Sequence, residues 1–201
     1  MHPNPAFRAK SREAHEALIA EVGFGMIFAQ TPSGPRVAHT PLVSTGTGAV
    51  RFHLANANPL TPYLAGAGAE VVAVVNGPDG YISPRWYPEA GEVPTWNYVA
   101  LEMSGTIAQL SPDELADLLG QIGAQHEARL PGGPQWQPAD VPQDKWDKLI
   151  GAITGFELTV SEWRHTAKLS QNKPPATRLN VAKGLEATGN LALAQAMRGA
   201  A

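Results

Sequence analysis

Two histidines stand on segments with strand-like patterning: His39 in "RVAHTPLV" and His53 in "FHLANANP". Paired imidazoles can ligate a metal, but protein metal sites need three or four ligands, and His126 and Glu127 fall on a separate helical segment. That leaves hydrogen bonding, either to a bound ligand or to backbone. "FHLANANP" (52–59) is itself a strand running into a turn, where backbone N–H groups and Asn side chains can form the edge of an anion or cofactor site. The plainer reading is an ordinary Asn- and Pro-containing turn. "KLSQNK" (168–173) sets two lysines, which can meet a phosphate, around amides that suit the edge of a heterocycle. A solvated polar turn before Pro174 explains the same residues. The stretch "YISPRWYPEAGEVPTWNY" (81–98) collects aromatic residues on a proline-stiffened loop. It fits an edge cover, an interface or the wall of a planar ligand.

Other templates fail. There is no G-x-G-x-x-G, no phosphate-loop lysine and no G-x-S-x-G. Candidate helices do not form a helix-turn-helix pair with a basic second member. The 201 residues are 43% hydrophobic and 16% charged, with a net charge of −3, so a folded domain is expected and extensive DNA contact is disfavoured. The chain holds no cysteine, which excludes disulfides and thiolate metal sites. No apolar run spans a membrane and no secretory leader is visible, so a cytoplasmic location is expected.

These residues need elements to hold them. Ser11 and Gly23 bracket a first helix; Ser111, Pro112 and Glu114 open the strongest helix, from about 111 to 130, and a shorter one follows at about 142–152. Six strands are read, at "FGMIFAQ", "RVAHTPLV", "AVRFHLA", "AEVVAVVNG", "YVALEMSGTIAQL" and "GFELTVSEW". Their meander order and short turns predict a mainly β, antiparallel α+β fold: a barrel with peripheral helices. Residues 1–173 are expected to form that domain with the two helices inserted. Residues 174–201 are expected as a helical tail, broken at Gly189-Asn190.

The segments "FHLANANP", "GPDGYISPRWY", "VPTWNYVALEMSGT", "GFELTVSEW" and "KLSQNKPPATRLNVAKGLE" occur in this order, and over residues 1–188 the sequence resembles the PaiB family, the FMN-binding negative transcriptional regulators. The resemblance implies a six-stranded FMN-binding split β-barrel, related in fold to pyridoxamine-phosphate oxidases and small flavin reductases. It implies a bacterial homodimer, FMN at the subunit interface, and repression of genes for sporulation and degradative enzymes. By the same analogy FMN lies along two strands lined by His39, Thr40, His53, Leu54 and Ala55, with Arg51 and Asn58 on the phosphate side. Lys168, Ser170, Gln171 and Asn172 would reach in, from the same or the partner chain, and Trp86 and Trp96 would anchor the aromatic loop at the dimer seam. Two other functions compete with regulation: an FMN-dependent oxidoreductase, in which the flavin does the redox chemistry, and a dimeric barrel without cofactor.

Overall fold

Period-two alternation after Phe24 and Ala49 becomes strand, and the capped segments after Ser11 and Ser111 become helix. The computed structural model describes residues 4–9, 11–66 and 68–200. In chain order the elements are β1 (Arg8–Ala9), α1 (Arg12–Val22), β2 (Phe24–Thr31), β3 (Gly34–Pro41), β4 (Val43–Ser44), β5 (Ala49–Ala55), α2 (Thr61–Leu64) and β6 (Glu70–Ile82). There follow β7 (Thr95–Gln109), α3 (Pro112–Glu127), α4 (Gln143–Ile150), β8 (Ile153–Lys168), α5 (Pro175–Ala187) and α6 (Leu191–Gly199).

Among the described residues the strands number eight, not six, in one sheet of order β3-β2-β6-β7-β8-β5-β4 with β1 on β8. The two unforeseen strands, β1 and β4, are two residues each and leave no period-two pattern to read. By backbone pairing the sheet is open, ending at β3 and β4, and is not a closed ring of six. The pairs β2–β3, β2–β6, β4–β5, β5–β8 and β1–β8 are antiparallel. No described helix is long and apolar enough to cross a membrane.

The chain divides into two compact units, and β6, β7 and β8 each run on from one into the other. One comprises Glu16–Val75 and Glu102–Trp163. Its centre is the β5–β8 pairing, where Phe52 lies opposite Phe156 with ring centroids 5.5 Å apart. Val50, Phe52 and Leu54 point inward, so Arg51, His53 and Ala55 take the other face. The α3 helix starts with a full capping box: Glu114 N–H donates to Ser111 Oγ at 3.3 Å and Ser111 N–H to Glu114 Oε2 at 2.8 Å. Its Leu115 and Leu118 pack with Val43 and Leu110. Gly105 of β7 lies so close to β8 that a Cβ there would stand 2.0 Å from the Thr159 carbonyl oxygen.

The other unit comprises the described residues up to His15, Asn76–Leu101 and the described residues from Arg164 onward. Here α5 and α6 form a hairpin that buries Val181, Leu185, Leu193 and Met197 with Ile82 and Tyr87. Asn190 sets the turn, accepting from Leu193 N–H at 3.3 Å and donating to the Asp79 carbonyl at 2.8 Å. Gly184 admits the ring of Trp86, whose Cδ2 would be 2.4 Å from a Cβ at that position.

Two substitutions test the first unit's framework. Gly105→Ala is expected to destabilise by about 1–3 kcal/mol through overpacking against fixed backbone. Phe156→Ala is expected to lose about 3–5 kcal/mol through a core cavity. Urea midpoints at constant m-value check both.

Candidate functional site

The twelve residues expected to hold a ligand fall into two groups, one in each compact unit. His39, Thr40, Arg51, His53, Leu54, Ala55 and Asn58 lie on β3, β5 and the turn after β5. Thr40 is buried on the inner face of β3, and its Oγ1 donates to the His53 carbonyl at 2.6 Å. That bond ties two strands that share no ladder, because β3 ends the sheet path and β4 covers β5 only at Val50 and Arg51. Past Arg51, therefore, no described strand is ladder-paired to that edge of β5. In an extended strand the N–H and C=O of one residue point the same way, so the His53 N–H faces the same edge as its carbonyl.

The His53 Nδ1 atom is buried and has no hydrogen-bond partner, and burial holds the imidazole below its ordinary pKa, in the neutral form. His39 is exposed and stacks on Phe24 at 6.5 Å. Leu54 is buried in the core. The Ala55 carbonyl accepts from Thr61 Oγ1 at 2.7 Å and Asn58 N–H at 2.9 Å, and Asn58 Oδ1 accepts from Leu60 N–H at 2.9 Å. These bonds fix the turn. Arg51 pairs with Glu157, its direct cross-strand partner, at 2.7 Å and with Glu114 at 3.5 Å. Its Nη1 atom has no partner among the described residues.

Sequence reasoning passed over Arg36, although it opens the same "RVAHTPLV" segment. Arg36 is exposed on β3, its guanidinium donates to the Pro35 carbonyl at 3.0 Å, and it makes no ion pair with any described residue. With Phe28, Tyr63, Val72, Thr106 and Ser161 it lines an open groove of about 700 Å³. The outer faces of β2 and β3 beside it carry Phe24, Phe28 and Val37, which are 49%, 40% and 45% exposed, with Phe28 directly opposite Val37.

The second group is Trp96, Lys168, Ser170, Gln171 and Asn172. Trp96 is exposed, donates from Nε1 to Asp79 at 2.9 Å and meets Tyr81 edge-on at 6.4 Å. Lys168 donates to Thr95 Oγ1 at 2.5 Å and to the Trp96 carbonyl at 2.8 Å, and partial burial lowers its pKa. Ser170 is buried and accepts from Asn97 Nδ2 at 2.9 Å. Gln171 folds back on its own turn, donating to the Ala167 carbonyl and accepting from Leu169 N–H at 2.8 Å. Asn172 is exposed. Sequence reasoning missed Thr95 and Asn97 as members of this cluster, although the "PTWNY" motif contained both. Thr95 and Asn97 share one face of β7, but nothing local shows that this face closes on the 168–172 segment.

Together the two motifs shape a cavity of about 240 Å³ that Tyr87 also lines. His126 and Glu127 sit on α3, and no cluster of three or more metal-ligating side chains forms among the described residues.

His165, on β8, packs edge-on against His15 at 5.3 Å. Both ring nitrogens of His165 are buried without a hydrogen-bond partner, and burial, aided by the charge of His15, brings its pKa down from 6.5 to about 4. It is neutral in the fold, while the unfolded chain takes up a proton below pH 6.5. Stability is therefore full above pH 6.5 and falls as pH drops toward 4. Urea midpoints across that window should decline in the native chain and flatten in His165→Gln; an equally steep decline in the variant would remove His165 as the cause.

Comparison with known proteins adds to this geometry. A family model described as "Putative FMN-binding domain" matches residues 1–162. "Protease synthase and sporulation protein PAI 2" of Bacillus subtilis is 30% identical over 183 residues, covering 90% of this chain and 86% of that protein. Among solved structures, the FAD and heme binding protein from Mycobacterium smegmatis aligns with TM-score 0.60 at 16% identity, over 80% of this chain and 73% of that one. A flavocytochrome from Azotobacter vinelandii aligns with TM-score 0.62 at 16% identity, over 83% and 72%. At these identities the structural likeness is one of fold.

Proposed function

The chain belongs to the PaiB family of FMN-binding domains, with FMN as its cofactor, and from that premise we propose that it is a split-barrel homodimer that binds FMN between subunits and acts as a negative regulator of transcription. The carrying observation is the open β3/β5 edge, closed only by Thr40 and holding the unpartnered, buried His53 Nδ1. A flavin ring needs fixed donors and acceptors along its pyrimidine side, and a phosphate needs a cation not already neutralised. The His53 imidazole and the free backbone of β5 fit the first need. Arg36 fits the second, whereas Arg51 is already matched by Glu114 and Glu157. The groove of about 700 Å³ that Arg36 lines, whose walls do not include His53 or Thr40, lies within the roughly 300–1,000 Å³ of cofactor pockets. When bound, FMN supplies the electron-transfer chemistry; the chain's own residues bind it, orient it and exclude water.

A split barrel is the reading of the sheet that this bond supports: the ladder is open, and the Thr40 hydroxyl bridges β3 to β5 where a strand pair is missing. The exposed Phe24, Phe28 and Val37 supply the apolar face that a second copy would cover. Of the twelve expected ligand residues, those on β3 and β5 are the ones we assign to FMN, since the cavity lined by Lys168 and Ser170 is below cofactor size at about 240 Å³. A net charge of −3 favours regulation through a protein partner over broad contact with DNA phosphates. The oxidoreductase reading keeps its place because such an enzyme needs no protein nucleophile.

Titration of the full chain with FMN, followed by fluorescence quenching, tests the site. His53→Ala and Arg36→Ala should each weaken binding about tenfold, which is a loss of ~1.4 kcal/mol. Native affinity in both variants would defeat the assignment. Sedimentation should show a dimer that Phe28→Asp converts to monomer. Steady oxidation of a reduced nicotinamide by the loaded protein would move the function to the enzyme reading.

A further inference from the structure

The flavin reading makes no use of the cavity lined by Tyr87, Thr95, Asn97, Lys168, Ser170 and Asn172, all of one compact unit. Its polar groups are committed in a way that leaves two of them open. Asn97 is fully buried, and its Nδ2 donates to Ser170 Oγ at 2.9 Å and to Met197 Sδ at 3.5 Å. Its Oδ1 is buried with no partner, although buried carbonyl oxygens nearly always have one. Lys168 Nζ has three protons and uses two, on Thr95 Oγ1 and the Trp96 carbonyl. The cavity's other cation, Lys173, is matched by Glu92 at 2.5 Å, so Lys168 carries the unbalanced charge. Ser170 holds φ +63°, the positive-φ conformation that non-glycine residues rarely adopt, and no other described non-glycine residue shares it. The strained backbone holds its hydroxyl against Asn97, the kind of local strain that accompanies a ligand clamp. Tyr87 and Phe7 add aromatic wall.

We propose that this cavity is a second binding site, separate from the flavin site, for a small carboxylate that also carries a hydroxyl or amine donor. The carboxylate accepts a hydrogen bond from the third N–H of Lys168, and the donor satisfies Asn97 Oδ1. The volume of about 240 Å³ excludes nucleotides and admits short hydroxy or amino acids. Tyr87, whose hydroxyl is held in the neutral form by burial, and Phe7 cover the carbon skeleton.

Amide NMR of the full, isotope-labelled chain tests this with L-lactate as the probe. Lactate should shift the Asn97 side-chain amide and the Ser170 backbone amide saturably. Acetate, which has the carboxylate but no donor, should bind roughly fivefold more weakly, as loss of one hydrogen bond predicts. Lys168→Met should abolish the lactate shifts, and its dispersed spectrum will report that it is folded. Asn97→Ala should erase the preference for lactate over acetate. Lactate shifts should persist with FMN at saturation. No saturable shift up to about 20 mM lactate, well above a millimolar Kd, would overturn the proposal. Abolition of the shifts by FMN would do the same, by assigning the cavity to the cofactor.

Discussion

Phe52 opposite Phe156 fixes the register of β5 on β8, and much else follows from that one pairing. Side chains along a strand alternate, so a slip of one residue would send Arg51 and His53 into the core and put Phe52 on the outer face. The two buried rings make such a slip prohibitive. With the register set, Arg51 falls opposite Glu157, and their ion pair at 2.7 Å is a consequence of strand position. The His53 carbonyl is likewise directed away from β8, and there it meets Thr40. The candidate site is thus the outer side of a core that has no chemical role of its own.

The same register explains why the edge stays open. Only two residues of β5 pair with β4, because the chain turns at Gly46 and Gly48 and returns at once. A longer β4 would cover the backbone around His53. A single hydroxyl holds β3 near β5 without occupying the N–H groups a ladder would use. This is the difference between a closed barrel and a cleft: one side-chain bond restrains the strands, while their main-chain groups remain able to meet a ligand.

The sequence made the long strands and capped helices legible because their signals are local. Alternation named β5, β7 and β8, an apolar run named β2, and Ser111, Pro112 and Glu114 named the start of α3. Strands β1 and β4 were invisible, since two residues carry no period and exist only through pairing to distant partners. The same limit applies to the site. His53 was legible as a polar residue at a strand end, but its unpartnered nitrogen depends on burial from elsewhere. Arg36 and Arg51 look alike in sequence; only the arrival of Glu114 and Glu157 separates a neutralised guanidinium from a free one. Asn97 and Ser170 are 73 residues apart, and no local pattern could have joined them.

The aromatic stretch from Tyr81 to Tyr98 shows how one segment can answer to several demands. Trp86 covers Gly184 on α5, and Tyr87 joins the core of the C-terminal hairpin, so much of this aromatic surface is already consumed inside the unit. Trp96 is turned outward, yet its indole N–H is fixed by Asp79 and its carbonyl holds Lys168. Its immobility therefore serves the lysine. Thr95 and Trp96 open β7, and that strand backbone keeps the Lys168 ammonium aimed at the cavity, where a mobile loop would let it swing into water. A flexible lysine would be solvated and indifferent to small anions; one held by Thr95 and Trp96 presents a single proton in a fixed direction. The point charge acquires its direction from a hydroxyl and a backbone carbonyl of β7, while the rings of Trp86 and Tyr87 are spent on packing.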